Sequence, residues 1–438
     1  MIKKLIVSSL IASISIYAAE FKLDDLVKEA LAKSPDLKIS KADYDASKEQ
    51  VKQADAGYLP TLDLVAQAGV RERDYGGQVA GEKPNEFEPG SSDTNLLQAK
   101  VTAKQLLYDF GKTTGNIEEF ENKSLSDQAA MQQDISDKIY AVKHAYFSYL
   151  YANAMITVNT ENIKLNEQQL NRAKRYYDAG IRTKVDVTDA EVNLIEAQLS
   201  LQDTGYAVKL ALVELKKEIG ISENIDTNKY KIYIQEPVAV DVYESLPKLT
   251  LNVNTFQEEA FTNRAELEQY IQKVNSAQSS YKKVDGDYYP SLYGNANYMT
   301  QDVDKDAFAP EEEWEATVSL EWNLYSGNST DAITQEARIM IMRAEADLEN
   351  TRLSIQKEVN DAYIKVNKDL DNTKLSENLS ILSKEKFVQV QKRYEAGLAD
   401  YVELQQARQN YINSKGRLTQ SYYAYYKSMA LLDHSVGK

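Results

Sequence analysis

Between Pro60 and Phe110 apolar and polar residues alternate one by one, with Leu62, Leu64, Ala66, Ala68 and Val70 on one side and Thr61, Asp63, Gln67 and Arg71 on the other. A period of two predicts a strand, here about 11 residues long. A second run, Leu97 to Tyr108, sets Leu97, Ala99, Val101, Ala103 and Leu107 against Gln98, Lys100, Thr102 and Lys104, which predicts the partner strand of a hairpin. The pattern returns over Ser291 to Thr300 and over Trp314 to Tyr325. In the latter, Trp314, Ala316, Val318, Leu320, Trp322 and Leu324 alternate with Glu315, Thr317, Ser319, Glu321, Asn323 and Tyr325. Such strands suit a transmembrane barrel, apolar toward lipid and polar toward the lumen. A strand of a soluble sandwich alternates in the same way.

Elsewhere the period lengthens. Ile135, Ile139, Val142, Tyr146, Tyr149, Asn153 and Ile156 step by 4 and 3, a heptad-like seam that predicts coiled-coil packing. The eight prolines lie at 35, 60, 84, 89, 237, 247, 290 and 310, so none falls between 90 and 236 or after 310. An interior proline costs a helix about 3 kcal/mol. Both tracts are therefore free to be long helices. Lys112 to Ala179 is 68 residues, which as one helix would run roughly 100 Å, longer than a globular core needs.

The chain repeats itself. EALAKSPDL, Glu29 to Leu37, matches EAFTNRAEL, Glu259 to Leu267, at an offset of 230, and the same offset carries Pro60 in GYLPTL onto Pro290 in DYYPSL. Farther on, Tyr177-Asp178-Ala179-Gly180 matches Tyr394-Glu395-Ala396-Gly397 at an offset of 217, as do Ala145-Tyr146 with Ala362-Tyr363 and Gly220 with Gly437. A fixed period of this kind marks a duplicated scaffold. The division is residues 20–250 and 251–438, with hairpins at about 60–110 and 290–325; the offset falls by 13 between Pro60 and Tyr146, so the second copy has lost residues there, most simply from its first loop. Four strands cannot close a barrel with a polar interior, and open edges are not tolerated in lipid. Several chains must share one barrel, and a homotrimer would supply twelve strands.

Composition narrows the function. Residues 1–19 set Lys3 and Lys4 before the apolar run Leu5 to Tyr17 and end in Ala18 and Ala19, the layout of a secretory signal cleaved after Ala18 or Ala19. That run is too short to span a membrane as a helix, and the remaining sequence offers no other candidate. Cysteine is absent, and the two histidines, His144 and His434, stand 290 positions apart. Thiolate chemistry, a metal cluster, a Ser/His triad and a lipidated cysteine have nothing to work with, so no cofactor, metal or catalytic residue is expected. A net charge of −16 opposes nucleic-acid binding. Thirty tyrosines suit surfaces that are half wet and half apolar. Gly111-Lys112-Thr113 imitates the end of a phosphate loop, but Leu106 replaces the earlier glycine; Asn328-Ser329-Thr330 fits a glycosylation acceptor by chance, and His144 reads as a helix-surface or seam residue.

The ordered set of motifs resembles the TolC family of outer-membrane efflux and secretion channels over nearly the whole mature chain. A helix ends in GYLP or DYYP, a strand hairpin follows, LLYDFGK or NLYSGN opens a long helix, and RYYDAGIRTKVDVTDAE or RYEAGLADYVELQQARQ marks a helical turn, all of it twice. The resemblance implies a mainly α protein with a β-barrel part: a homotrimer with a long α-helical coiled-coil tunnel in the periplasm and four transmembrane strands per chain in a shared twelve-stranded barrel. It implies a passive exit duct for a tripartite efflux pump or type I secretion system, set in outer-membrane lipid and served by a periplasmic adaptor (membrane fusion) protein and an inner-membrane transporter. The cargo is left to the pump, and Ile221 to Leu251 is the candidate for part of a mid-tunnel collar.

Gly180 and Gly397 each follow a long helix, where a left-handed glycine would end it and reverse the chain. In the family this turn is the periplasmic tip, so the resemblance makes Ala179, Gly180, Ile181, Ala396, Gly397 and Leu398 the expected adaptor contacts. Asp186 and Asp189 lie one helical turn apart on one face, and three copies around a pore would crowd six carboxylates and attract cations. Acidic residues at a helix start also simply favour the dipole. By resemblance Asp186 and Asp189 match the selectivity ring, with Glu403 and Gln406 as the second copy's equivalents. Tyr177, Arg182 and Tyr394 match a gating latch, with Glu403 as an acceptor for the arginine. A structural or adhesive coiled-coil protein of the cell envelope also fits the heptads and acidity, and an autonomous porin would not need such long helices.

Overall fold

The computed structural model describes residues 19–21, 23–75, 90–221, 230–232, 242–302 and 311–438. The expected export signal lies outside them apart from Ala19, and so does most of the segment assigned to the collar. In chain order the first half holds β1 (Ala19–Phe21), α1 (Leu23–Lys33), α2 (Pro35–Asp55), β2 (Thr61–Tyr75), β3 (Gly90–Tyr108), α3 (Lys112–Asp178), α4 (Lys184–Ile219) and β4 (Tyr230–Ile232). Then follow α5 (Val242–Ser245), α6 (Val253–Asn263), α7 (Ala265–Asp285), β5 (Ser291–Asp302), β6 (Glu311–Glu321), α8 (Ser329–Glu395) and α9 (Tyr401–Val436).

Apart from the four-residue α5, the helices come in two series of equal length. α1 and α6 have 11 residues each, α2 and α7 have 21, α3 and α8 have 67, and α4 and α9 have 36. Only the hairpin strands differ, at 15 and 19 residues in the first half against 12 and 11 in the second. Two compact units each draw on both halves. One takes Met1–Ser40, Met131–Ala265 and Arg352–Lys438, the other Lys41–Ala130 and Glu266–Thr351.

In the second unit the four long strands form one antiparallel sheet in the order β2-β3-β5-β6. The register carries the alternation from strand to strand. Leu64, Val101, Tyr298 and Trp314 form one row across the sheet, and Asp63, Thr102, Asn297 and Glu315 form the next. Because successive residues point to opposite faces, one row is apolar and its neighbour polar. Leu64 and Trp314 are 71% and 79% exposed. The fourth strand differs from its expected span, beginning at Glu311 and ending at Glu321. Beyond it the Asn323 side chain accepts the Tyr325 N–H at 3.2 Å, a local bond that competes with a ladder, and Gly327 and Asn328 adopt positive φ before α8 begins. Below the sheet α3 and α7 approach closely. A methyl group at Gly115 would meet the Lys283 backbone nitrogen at 2.5 Å, and Lys282 and Lys283 pair with Glu118 and Glu119 at 2.7 and 3.2 Å.

In the first unit β1 pairs with β4 in parallel, and the two halves repeat one packing device. Gly220 and Gly437, at φ 77° and 86°, end α4 and α9. A methyl group on either would press to within 3.1 and 3.0 Å of the backbone after α1 (at Lys33) and after α6 (at Asn263). Lys138 of α3 bridges Asp36 of α2 at 2.8 Å and Glu218 of α4 at 3.0 Å. Of the seam read along α3, Val142 and Tyr146 are buried while the other five positions are half-buried. Farther down the helix the buried positions turn polar, at Asn162, Asn166 and Gln169.

The glycines yield a test of opposite sign. Gly115→Ala should destabilise by about 1–3 kcal/mol because backbone atoms must move apart. Gly205→Ala, inside α4 with nothing within 4 Å of the added methyl, should stabilise by up to about 1 kcal/mol. Thermal melting of the two variants in detergent checks the pair; melting points that moved in the same direction would contradict the packing.

Candidate functional site: the two helix-reversal turns

Five residues connect α3 to α4 and five connect α8 to α9, at 179–183 and 396–400. Both connections end their first helix the same way. Gly180 N–H donates to the Tyr177 carbonyl at 2.9 Å and Ile181 N–H to the Tyr176 carbonyl at 2.9 Å; Gly397 and Leu398 repeat this to Tyr394 and Arg393 at 3.1 and 2.8 Å. This paired bonding is the Schellman arrangement, which needs a left-handed residue at its centre. Gly180 and Gly397 supply it at φ 71° and 72°.

The helices that follow begin differently. Asp186 turns back on α4, and its carboxylate accepts from the Thr183 backbone N–H at 3.0 Å and hydroxyl at 3.1 Å. On α9 the cap is Asp400, which accepts the Glu403 N–H at 2.7 Å. That leaves the Glu403 carboxylate to Arg393, at 2.7 Å, and Arg393 also donates to the Leu398 carbonyl at 3.2 Å. Half-exposed, the ion pair is worth at most about 1 kcal/mol, but with the carbonyl bond it ties both sides of the turn together.

The expected latch residues sort themselves across the two halves. Arg182 lies over the Tyr394 ring, 5.2 Å from its centroid, and Tyr394 is 2% exposed. Burial pushes the Tyr394 phenol up, against the pull of the Arg182 charge. Tyr177 is exposed at the surface, with Lys184 5.9 Å from its ring centre. Glu403 is partnered by Arg393 rather than by Arg182. Of the two aspartates, Asp189 is exposed, and its carboxylate accepts no hydrogen bond among the described residues. Its backbone carbonyl takes the Asn193 amide at 2.7 Å. Asn193 in turn donates to the Tyr401 hydroxyl at 3.2 Å and accepts from Gln405 at 2.6 Å, a bridge between α4 and α9.

Ile181 and Leu398 are 66% and 70% exposed, and Val185 and Val402, one turn into α4 and α9, are 65% and 70% exposed. The two valines escaped the sequence reading although the 217-residue offset already pairs them. Arg393, Asn193 and Gln405 escaped it as well, and nothing local marks them, since their partners come from across the turn or from another helix.

The model of a family described as outer membrane efflux protein matches residues 26–220 and 257–438. The outer membrane protein TolC of Escherichia coli (strain K12) is 23% identical over 226 residues, 51% of this chain and 45% of that protein, so the chain spans about half the length of this relative. The TolC of Vibrio cholerae serotype O1 is 23% identical over 448 residues, covering 99% of this chain and 94% of that protein. The open-state structure of the MtrE outer membrane channel of Neisseria gonorrhoeae superposes with a TM-score of 0.78 at 16% identity, over 98% of this chain and 93% of that one.

The two aspartates should separate by stability. Asp186→Ala removes a cap and should cost about 1 kcal/mol, whereas Asp189→Ala should stay within about 0.5 kcal/mol. Differential scanning calorimetry of both variants decides; equal losses would mean that Asp189 also has a structural partner.

Proposed function

The chain belongs to the outer membrane efflux protein family, and we propose that it works as a homotrimeric channel-tunnel, a passive exit duct. Membership makes it an outer-membrane transport protein and not an enzyme. The observation that carries the trimer is the sheet. Its outer strands β2 and β6 have no further partner among the described residues, while the four successive rows through Thr61, Leu62, Asp63 and Leu64 are polar, apolar, polar and apolar across all four strands. In lipid such edges must be closed by other chains, and three copies give a twelve-stranded barrel wide enough for a polar lumen.

The duct receives cargo from an inner-membrane transporter through a periplasmic adaptor protein, as part of a tripartite efflux pump or a type I secretion system. The two glycine turns, with Ala179, Gly180, Ile181, Ala396, Gly397 and Leu398, form the docking tip. Val185 and Val402 extend its apolar surface, which supports a protein partner there. Asp189 is the carboxylate of the selectivity ring, because Asp186 and Glu403 already have partners within the chain. Arg182 over Tyr394 holds the turn of α3 and α4 against α8, and this contact is the latch.

In planar bilayers the purified trimer should conduct with cation preference, and Asp189→Ala should reduce that preference more than Asp186→Ala does. A monomer in detergent without conductance would sink the channel reading, and unchanged selectivity in Asp189→Ala would remove the ring from it. Arg182→Ser should raise resting conductance several-fold; conductance at the wild-type level would show that the Arg182–Tyr394 contact does not gate.

A further inference from the structure

One charge in the lower helical bundle has no counterpart. Arg408 of α9 is 4% exposed, and its guanidinium makes neither an ion pair nor a hydrogen bond among the described residues; its Nε is buried outright. Burial pulls this guanidinium down from its ordinary value, and Tyr401 is the one group opposing that. A buried cation is costly unless something anionic faces it. The two acidic residues of α9, Glu403 and Asp433, pair instead with Arg393 and Lys143.

Arg408 borders a small, partly open cavity lined by residues of α3, α8 and α9. The space open there to the centre of a water-sized sphere is about 20 Å³, room for one small particle. No acidic residue lines it, whereas Arg172, Gln169 and Tyr401 do. The Gln169 Nε2 is buried without a well-formed hydrogen bond, its nearest acceptor being the Tyr394 hydroxyl. The Tyr401 hydroxyl accepts from Asn193, which leaves its own proton to give. The Arg172 guanidinium already has a carboxylate, Glu395 at 2.8 Å, so the uncompensated charge is that of Arg408.

From this geometry we infer that the cavity is a binding site for a small monovalent inorganic anion of the halide class, held by Arg408 with the Gln169 amide. The size admits a single atom and excludes a carboxylate or phosphate carrying a longer body. An anion there would join α3, α8 and α9 a few turns above the helix-reversal turns, beside Tyr401. The inference stands apart from the channel reading, since it requires only the fold of one chain.

The test uses the purified full-length protein in detergent. Crystals soaked in bromide should show one anomalous peak within hydrogen-bonding distance of Arg408 Nε. In solution, replacing gluconate by chloride at fixed ionic strength should raise the melting temperature by several degrees. Arg408→Met should abolish that rise, and Arg408→Lys should retain part of it. A cavity without an anomalous peak, holding only water, overturns the proposal, as does a chloride response that persists unchanged in Arg408→Met. Should that variant fail to fold, the bromide peak in the wild-type protein decides alone.

Discussion

The ladder between β3 and β5 joins a strand from each half of the chain, and everything about the sheet depends on its register. Side chains alternate with a period of two, so a slip of one residue would turn every apolar row onto the polar face. With Val101 opposite Tyr298 and Thr102 opposite Asn297, the apolar rows through Leu62 and Leu64 run unbroken across both hairpins, and so do the polar rows through Thr61 and Asp63. Each hairpin alone would be marginal in water. Joined, they form a curtain whose outer strands, β2 and β6, have no further ladder partner among the described residues.

The helix-reversal turns show the same backbone solution reached by different side-chain chemistry. Both use a left-handed glycine and the same pair of hydrogen bonds. In the first, a threonine and an aspartate of the next helix fix its start. In the second an aspartate caps the helix, and an arginine from the preceding helix spans the turn. The halves are therefore alike in path and unlike in charge, and the carboxylate left exposed, Asp189, has a glutamine at its duplicate position.

Much of this was legible in the sequence because it rests on local rules. Alternation marked the strands, absence of proline marked the long helices, and the 230 and 217 offsets matched the equal element lengths. Glycine at 180 and 397 marked the reversals. What escaped depends on partners far apart in the chain. Nothing near Arg182 says that its ring will be Tyr394 rather than Tyr177. Likewise, the buried Asn162, Asn166 and Gln169 look like an ordinary solvated face until other helices cover them. Trp322 and Leu324 keep the alternation but leave the strand, because an asparagine side chain offers the backbone a nearer bond.

The equal lengths of the paired helices bear on how such a chain can change over time. Each residue added to a helix turns everything beyond it by about 100° and advances it by about 1.5 Å. A single insertion midway along α3 would swing the stripe beyond it out of the core while α8 stayed in place. Substitutions can accumulate freely along the exposed sides, but gains or losses of residues have to come in steps near seven or enter both halves together. The hairpins carry no such constraint, and there the two copies have drifted apart in length, 15 and 19 residues against 12 and 11.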